Sequence, residues 1–570
     1  MARAAAPVHN ADIARAFDEV ADLLELQGAN AFRVRAYRNA ARMTGDTGFD
    51  IASRIAKGQE MPKMPGIGPD LAGKMREIAL TGTCAALEDL RREFPAGVTE
   101  LLRVPGLGPR RVAALHARIH VDNLEELARA ASEGRLRELP GFGEKTEQRV
   151  LQAVGARLSK ARRFRLAIAL QYAEPFAAYL GATVAGSCRR MKDTVGDLDF
   201  LVASTRPLDA IARFAAYPEV REVIGRGSTK ASVILASGIQ CDLRVVAPES
   251  FGAALHYFTG SKAHNIAVRR LGLARGLKIN EYGVFRGKRR IAGETEESVY
   301  ASVGLPYIEP ELREDQGELA AAAQGRLPCL VALSELRGDL HSHTSATDGR
   351  ASLEEMARAA HARGLRYLAI TDHSRHLAMT HGLDPAGLAR QARAIDTLAA
   401  RVPGIAVLKG IEVDILGDGT LALPDAALAR LDLVVAAVHG QFGLSRERQT
   451  ARILAAMDNP HVRILAHPTG RLIDAREPYD VDMQAIVRKA RERGVALEVD
   501  SQPERLDLDD THCRMARDAG VLIAVSSDAH ATADFDDLRY GIGQARRGWL
   551  ERKDVLNTRS LADLRRWLAR

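Results

Sequence analysis

The stretch Gly186-Ser187-Cys188-Arg189-Arg190-Met191-Lys192-Asp193-Thr194-Val195-Gly196-Asp197-Leu198-Asp199-Phe200-Leu201-Val202 constrains this chain more than any other. A Gly-Ser turn runs through a basic pair into an apolar segment interrupted by Asp-x-Asp. Leu198, Phe200, Leu201 and Val202 read as a strand, in which residues i and i+2 share a face. Asp197 and Asp199 therefore project together. Adjacent carboxylates repel one another unless cations lie between them, so the pair is suited to Mg²⁺ or Mn²⁺. A third carboxylate, Asp242, falls on the second arm of a hairpin read from Val233-Ile234-Leu235 and Gln240-Cys241-Asp242-Leu243-Arg244-Val245-Val246. Three carboxylates on neighbouring strands clamp two divalent ions and activate a hydroxyl against a nucleoside triphosphate. The backbone and hydroxyl of Gly186-Ser187 and the charge of Arg190 suit the phosphates.

From Leu336 the pattern changes to alternating strands and helices. Apolar runs at 336–343, 366–371, 406–413, 432–438, 463–467, 495–500 and 521–526 are separated by helix-like stretches. Seven such units predict a barrel around a parallel sheet. At the C-terminal ends of the runs stand His341-Ser342-His343, Asp348, Asp372-His373, Glu412, His439, His467 and Asp528-Ala529-His530. In a barrel those ends form one rim, where residues distant in sequence converge. A mixed imidazole and carboxylate set suits Zn²⁺, Mn²⁺ or Fe²⁺.

The N-terminal third reads as helical, with an amphipathic helix over Asn10–Leu26 and further helices near Ala31–Met43 and Phe49–Gly58. A short motif recurs as Met64-Pro65-Gly66-Ile67-Gly68, Val104-Pro105-Gly106-Leu107-Gly108 and Leu139-Pro140-Gly141-Phe142-Gly143, each time before a helix. The glycines allow a tight turn, and the helix N-terminus behind it offers free N–H groups to a phosphate. This helix–hairpin–helix pattern grips nucleic-acid backbone without reading sequence, so Gly66, Gly68, Gly106 and Gly108 are candidate DNA contacts. The net charge of +7 suits a polyanionic partner. The five cysteines are scattered without a CxxC pair, no signal-peptide core opens the chain, and no apolar run approaches the ~20 residues of a membrane span. A cytoplasmic, membrane-free setting is expected.

The run from Gly186 to Val202, then Gln240-Cys241-Asp242-Leu243-Arg244-Val245-Val246 and Tyr257-Phe258-Thr259-Gly260-Ser261-Lys262-Ala263-His264-Asn265-Ile266-Ala267-Val268-Arg269-Arg270, resembles the family X DNA polymerases, the group of DNA polymerase beta. The resemblance spans roughly residues 1–315. It implies Asp197, Asp199 and Asp242 as metal ligands, with Asp242 nearest the primer 3′-hydroxyl. Gly186, Ser187 and Arg190 fall on triphosphate-binding positions. Tyr257, Phe258 and Gly260 fall on the segment packing against the incoming sugar, and Asn265 and Arg269 on minor-groove contacts. Lys262 departs from the beta enzyme, which has an acidic residue there. Some members cleave a 5′-deoxyribose phosphate through a Schiff-base lysine, whose position here is Lys74 beside Tyr37. The later His and Asp set resembles the PHP (polymerase and histidinol phosphatase) domain, a distorted seven-stranded barrel with a trinuclear metal centre. All nine ligand positions are filled, by His341, His343, Asp348, His373, Glu412, His439, His467, Asp528 and His530. Arg375, Lys409 and Arg471 lie near these motifs as candidate phosphate contacts.

The expected fold is multidomain: helical helix–hairpin–helix N-terminal domains, an α+β nucleotidyltransferase palm, and a C-terminal distorted (β/α)7 PHP barrel. The expected bounds are 1–85 for a small gap-binding, lyase-like domain, 86–155 for a second helix–hairpin–helix domain and 156–250 for the palm. Residues 251–315 form the nucleotide-selecting subdomain, 316–335 a linker and 336–570 the PHP domain. The expected function is gap-filling DNA repair synthesis on gapped or nicked duplex DNA with deoxynucleoside triphosphates, by a monomer. The PHP domain adds a 3′–5′ exonuclease or 3′-end phosphoesterase holding up to three Zn²⁺, Mn²⁺ or Fe²⁺ ions. Two alternatives stay open at this level: an end-processing nuclease or phosphatase with a weak polymerase module, and a non-catalytic DNA end-binding scaffold.

Overall fold

The computed structural model describes the chain except residues 1–7, 46–50, 60–66, 96, 103, 105–106, 140–141, 144–145, 152–153, 155–162, 376–379, 399 and 570. It divides into two compact units, Met1–Arg163 and Phe164–Arg570.

The first unit is helical. Helix α1 (Asn10–Leu26) buries Ile13, Phe17, Val20 and Leu24 along one face, as their spacing predicts. The chain then turns at Gly28 with φ +77°. Helix α2 (Ala31–Gly45) sets Tyr37 against Phe17, with ring centroids 5.9 Å apart. Behind the first two glycine motifs stand α3 (Pro69–Thr81) and α4 (Pro109–Ile119), N-capped by Gly68 and Gly108 with proline at the first helical position. Proline has no N–H to leave unpaired there, and a helix's first turn leaves further N–H groups without intrahelical partners. Gly66 and Gly106 lie outside the described residues.

The second unit begins with the palm. Its strands β1 (Thr183–Val184), β2 (Asp197–Ala203), β3 (Val220–Arg226), β4 (Lys230–Leu235) and β5 (Gln240–Val246) assemble in the order β1-β2-β5-β4-β3. The predicted hairpin is present as antiparallel β4 and β5, while β2 and β5 run parallel. Leu198 and Phe200 are buried on one face of β2, where Phe200 meets Phe176 with ring centroids 4.9 Å apart. That burial fixes the strand's register and turns Asp197 and Asp199 to the opposite face.

Between β1 and β2 lies the short helix α5 (Gly186–Arg189). Helices α6 (Phe251–Thr259) and α7 (Lys262–Leu273) follow the sheet, separated at Gly260 and Ser261. A three-stranded antiparallel sheet comes next, made of β6 (Lys278–Asn280), β7 (Gly283–Arg286) and β8 (Arg289–Ala292). The stretch 316–335, expected as a linker, is packed structure. Its helix Glu318–Ala323 buries Glu318, which meets His264 Nδ1 at 2.6 Å, and Ala322 and Leu330 join the adjoining apolar core.

Strands β9 (Gly338–Asp339), β10 (Tyr367–Ile370), β11 (Ala406–Asp414), β12 (Leu433–Ala437), β13 (Val462–Leu465), β14 (Ala496–Asp500) and β15 (Ile523–Ser526) are all parallel and pair in sequence order. A bridge between Ser342 and Ala529, with the His343 N–H donating to the Ala529 carbonyl at 2.8 Å, nearly closes the seam. Residues such as Tyr367, Val435 and Ile464 fill one side of the sheet, and Leu368, Ile370 and Ile411 the other. Burial on both faces is why these strands read as continuous apolar runs rather than alternating ones.

Candidate metal centres

The parallel register of β2 and β5 sets Asp199 directly beside Asp242. Asp242 accepts from the Ser232 hydroxyl on β4 and from Gln240 Nε2 at 2.9 Å, two supports absent from the sequence expectation. Gly186 has φ +63°, and a Cβ there would stand 2.2 Å from Asp199 Oδ2. Only glycine lets the turn settle onto the carboxylate. Burial pushes the Asp199 carboxyl up to about 7, with help from Asp197 and Asp242 and against the opposing guanidiniums of Arg190 and Arg244. A carboxylate crowded into holding a proton fits a site completed by divalent cations.

That crowding gives a pH prediction. Below about pH 7 a cation must displace the Asp199 proton, and above it there is none to displace. The Mg²⁺ affinity of the palm should therefore fall roughly tenfold per pH unit below 7 and level off above it. Mg²⁺ titration of extension rate between pH 5.5 and 8.5 measures this, and a flat profile would contradict it.

Around this site, Ser187 is part-exposed on α5, and Tyr257 and Phe258 close α6. The Phe258 ring lies 5.2 Å from the Arg244 guanidinium. Asn265 and Arg269 are one turn apart on α7, Arg269 exposed. Asn265 Nδ2 donates to the Tyr257 carbonyl at 2.6 Å, and a Cβ on Gly260 would come within 2.6 Å of Asn265 Oδ1. Arg190 is buried: its Nε donates to Glu314 at 2.9 Å and its Nη1 to the Thr259 carbonyl at 2.7 Å. Lys74 is held by Asp70 and lies 5.8 Å from the centre of the Tyr37 ring. Burial works to lower its pKa, but the hydrogen bonds to Asp70 and Tyr37 prevail and raise it. A Schiff base requires the neutral amine, so a lyase role would need Lys74 to leave Asp70.

Every strand of the barrel sends a side chain to the second centre. Three groups of ligand atoms each lie within 4.8 Å of one another: His343, Asp348, His373 and His530; His341, His343 and Asp528; and His373, Glu412 and His439. His343 and His373 are shared, so the groups adjoin. His467 belongs to none of the three but joins through Glu412, with its Nε2 3.0 Å from Oε1. Glu412 also meets His439 at 3.0 Å and His373 at 2.8 Å. His467 and Asp528 hold φ of +26° and +48°, a conformation non-glycine residues rarely adopt and one that clusters at functional sites.

His341 Nε2 and His343 Nδ1 are buried without a hydrogen bond. Burial would push the carboxyls of Glu412, Asp348 and Asp528 up, yet the imidazoles around them hold all three far below the usual range. Burial and the neighbouring His530 and His373 depress His343 to about 3. Unpaired imidazole nitrogens among ionised carboxylates fit a cluster of transition-metal ions. Asp348 and His530, with side chains 30% and 22% exposed, open the centre to solvent, while His341 and Glu412 form its buried floor.

Two flanking carboxylates were not singled out from the sequence. Glu498 on β14 meets His341 Nδ1 at 2.8 Å and accepts from the His467 N–H at 2.9 Å; Asp414 meets His439 Nδ1 at 3.0 Å. Each orients an imidazole so that its other nitrogen faces the centre. The Glu498-x-Asp500 spacing at the end of a strand was the available signal. Of the three expected phosphate contacts, Arg375 is exposed and Lys409 pairs with Asp396 at 2.6 Å. Arg471 is committed elsewhere, donating to the carbonyls of Arg505 and Leu506 and to Asp193 of the palm.

Residues 8–84 match the helix-hairpin-helix domain family, 98–155 the SAM-like helix-hairpin-helix tandem, 254–314 the DNA polymerase beta thumb and 339–499 the PHP domain. The DNA polymerase/3′-5′ exonuclease PolX of Bacillus subtilis (strain 168) is 38% identical over 577 residues, covering 99% of this chain and all of that protein. A probable phosphatase of Thermoanaerobacter sp. (strain X514) is 29% identical over 231 residues, covering 39% of this chain and 89% of its own. Leishmania infantum polymerase beta in a ternary P/T complex covers 38% of this chain and 97% of its own at 21% identity, but a TM-score of 0.25 gives that likeness no weight.

Proposed function

Because the chain belongs to the family X DNA polymerases that carry a C-terminal PHP domain, we propose that it extends a primer 3′ end in the palm and trims a 3′ end in the barrel. The observation that carries this reading is the coexistence of two complete carboxylate-rich centres in one chain matched end to end by a named polymerase/exonuclease. The proposed substrate is gapped or nicked duplex DNA, with deoxynucleoside triphosphates for synthesis.

In the palm, Asp197, Asp199 and Asp242 would hold two Mg²⁺ or Mn²⁺ ions. Such ions, when bound, supply Lewis-acid activation of the 3′-hydroxyl and neutralise charge on the α-phosphate. The reaction joins the primer 3′-oxygen to the α-phosphorus and expels pyrophosphate. Asp242, steadied by Ser232 and Gln240, would be the ligand nearest the 3′-hydroxyl. Gly186, Ser187 and Arg190 receive the triphosphate, while Tyr257, Phe258 and Gly260 flank the sugar. Asn265 and Arg269 reach the new base pair. Gly68 and Gly108 open the helix N-termini that take up backbone phosphates, with Gly66 and Gly106 in the same motifs.

In the barrel, the nine ligands would hold up to three Zn²⁺, Mn²⁺ or Fe²⁺ ions. Glu498 and Asp414 keep His341 and His439 in the ligating orientation, and the Asp348–His530 side admits the terminal phosphodiester. Lys74 is the residue proposed for a 5′-deoxyribose phosphate lyase step, for which it must be released from its pairing with Asp70.

A 5′-labelled primer across a short gap, incubated with Mn²⁺, tests the reading. Lengthening with nucleotides and shortening without them is the expected result. Shortening under both conditions would leave an end-processing nuclease on a polymerase fold.

A further inference from the structure

The barrel reaches into the nucleotide side of the palm. The residues linking the phosphate turn to Asp197 rest on it: the Met191 carbonyl accepts from Gln544 Nε2 at 3.2 Å, and Asp193 from Arg471 at 3.1 Å. Gly543 is so close that a Cβ there would stand 2.7 Å from the end of Met191. Gln544 and Gly543 belong to helix α8 (Leu538–Arg547) of the barrel.

The last residue of α8, Arg547, is the central contact. Its Nη1 donates to the Arg190 carbonyl at 2.9 Å and to Glu314 Oε1 at 3.0 Å, and its Nη2 to Asp510. The same Glu314 oxygen accepts from Arg190 Nε at 2.9 Å, with Lys192 Nζ at 3.9 Å. The side chains of Arg190, Glu314 and Arg547 are 11%, 13% and 2% exposed. Burial pushes the Glu314 carboxyl up, but Arg190 and Arg547 together hold it below its usual range. Two arginines, one from each domain, therefore share one nearly buried carboxylate.

We propose that Arg547 is a positioning residue for DNA synthesis, an ionic placeholder that keeps Glu314 paired when Arg190 shifts onto the incoming triphosphate. The proposal rests on the reading of Arg190 as a triphosphate contact. A nearly buried carboxylate that loses its close partners is strongly unfavourable, and without both arginines Glu314 would keep only Lys192, 3.9 Å away. Without Arg547, Glu314 would keep Arg190 for itself, and the triphosphate would have to compete with a carboxylate for the same guanidinium. With Arg547 in place, Glu314 stays neutralised and Arg190 is released at little cost. The exonuclease barrel thus supplies one residue of the polymerase's nucleotide-binding apparatus, so synthesis depends on the barrel even where trimming is not required.

The test uses the full-length chain. Arg547→Met should raise the nucleotide KM about tenfold, the scale of one charge-assisted contact, with kcat changed less, while trimming of single-stranded DNA holds at the wild-type rate and reports the fold. Adding Glu314→Gln should restore the KM, because no carboxylate remains to hold Arg190. Glu314→Gln alone should leave the KM at or below the wild-type value. A purely structural clamp gives the reverse: Glu314→Gln raises the KM and the double variant is worse than either. That pattern, or an unchanged KM in a folded Arg547→Met protein, overturns the proposal. Arg190→Met separates the two readings. If it raises the KM while Arg547→Met does not, the placeholder role alone fails; if it leaves the KM unmoved, the assignment of Arg190 fails and the placeholder with it.

Discussion

Asp199→Ala should abolish primer extension, by about 10³-fold or more, and leave 3′-end trimming at the wild-type rate. Asp199 occupies the middle of the palm site, beside Asp242 in the parallel register and beneath the Gly186 turn. Its loss takes away a proposed metal ligand, and losses of this order accompany removal of one preorganised electrostatic group. Stability is not the cause of the expected loss. Burial and the charges of Asp197 and Asp242 already press Asp199 toward its protonated form, so a neutral side chain there relieves repulsion. Running-start extension and trimming of the same labelled primer, beside a thermal melt, measure all three quantities. Equal loss of both activities in a folded variant would contradict separate centres.

Glu412→Gln should have the mirror effect, lowering trimming by at least about 100-fold and sparing extension. Glu412 lies on the floor of the barrel, its two oxygens within 3.0 Å of His373, His439 and His467 and 3.5 Å from His341. The amide keeps the size but removes the charge that balances these imidazoles, so bound metal should fall along with activity. Metal content by elemental analysis and trimming rate are the readouts. Normal metal content with normal trimming would place the hydrolytic centre elsewhere.

What the sequence disclosed follows from the range over which each feature is determined. Asp197 and Asp199 were legible because side-chain alternation is local, and Asp242 because a hairpin joins its strand to the one before it. The barrel strands were legible because burial on both faces leaves an unbroken apolar run, and the ligands because strand ends share a rim. The roles of Glu498 and Asp414 were not legible, because their partners, His341 and His439, stand 157 and 25 residues away. Arg190 read as a free phosphate contact because its tie to Glu314 spans 124 residues, and Arg547 reaches that carboxylate across 233. The stretch 316–335 read as a linker because it is rich in Ala, Glu and Gln with few large apolar residues, while its fixed position comes from the Glu318–His264 contact, which composition does not express. Lys74 read as a candidate nucleophile from its place behind a hairpin, and its contact with Asp70, one helical turn earlier, was not singled out from the sequence.

The most direct test of two working centres on one chain is the conversion of labelled deoxynucleoside triphosphate to monophosphate on a primer at a one-nucleotide gap. The monophosphate forms only when a residue is inserted and then removed. Wild-type protein should release it steadily, and Asp199→Ala and Glu412→Gln should each release it at least about 100-fold more slowly. Steady release by Glu412→Gln would show that removal does not occur in the barrel and would contradict the account.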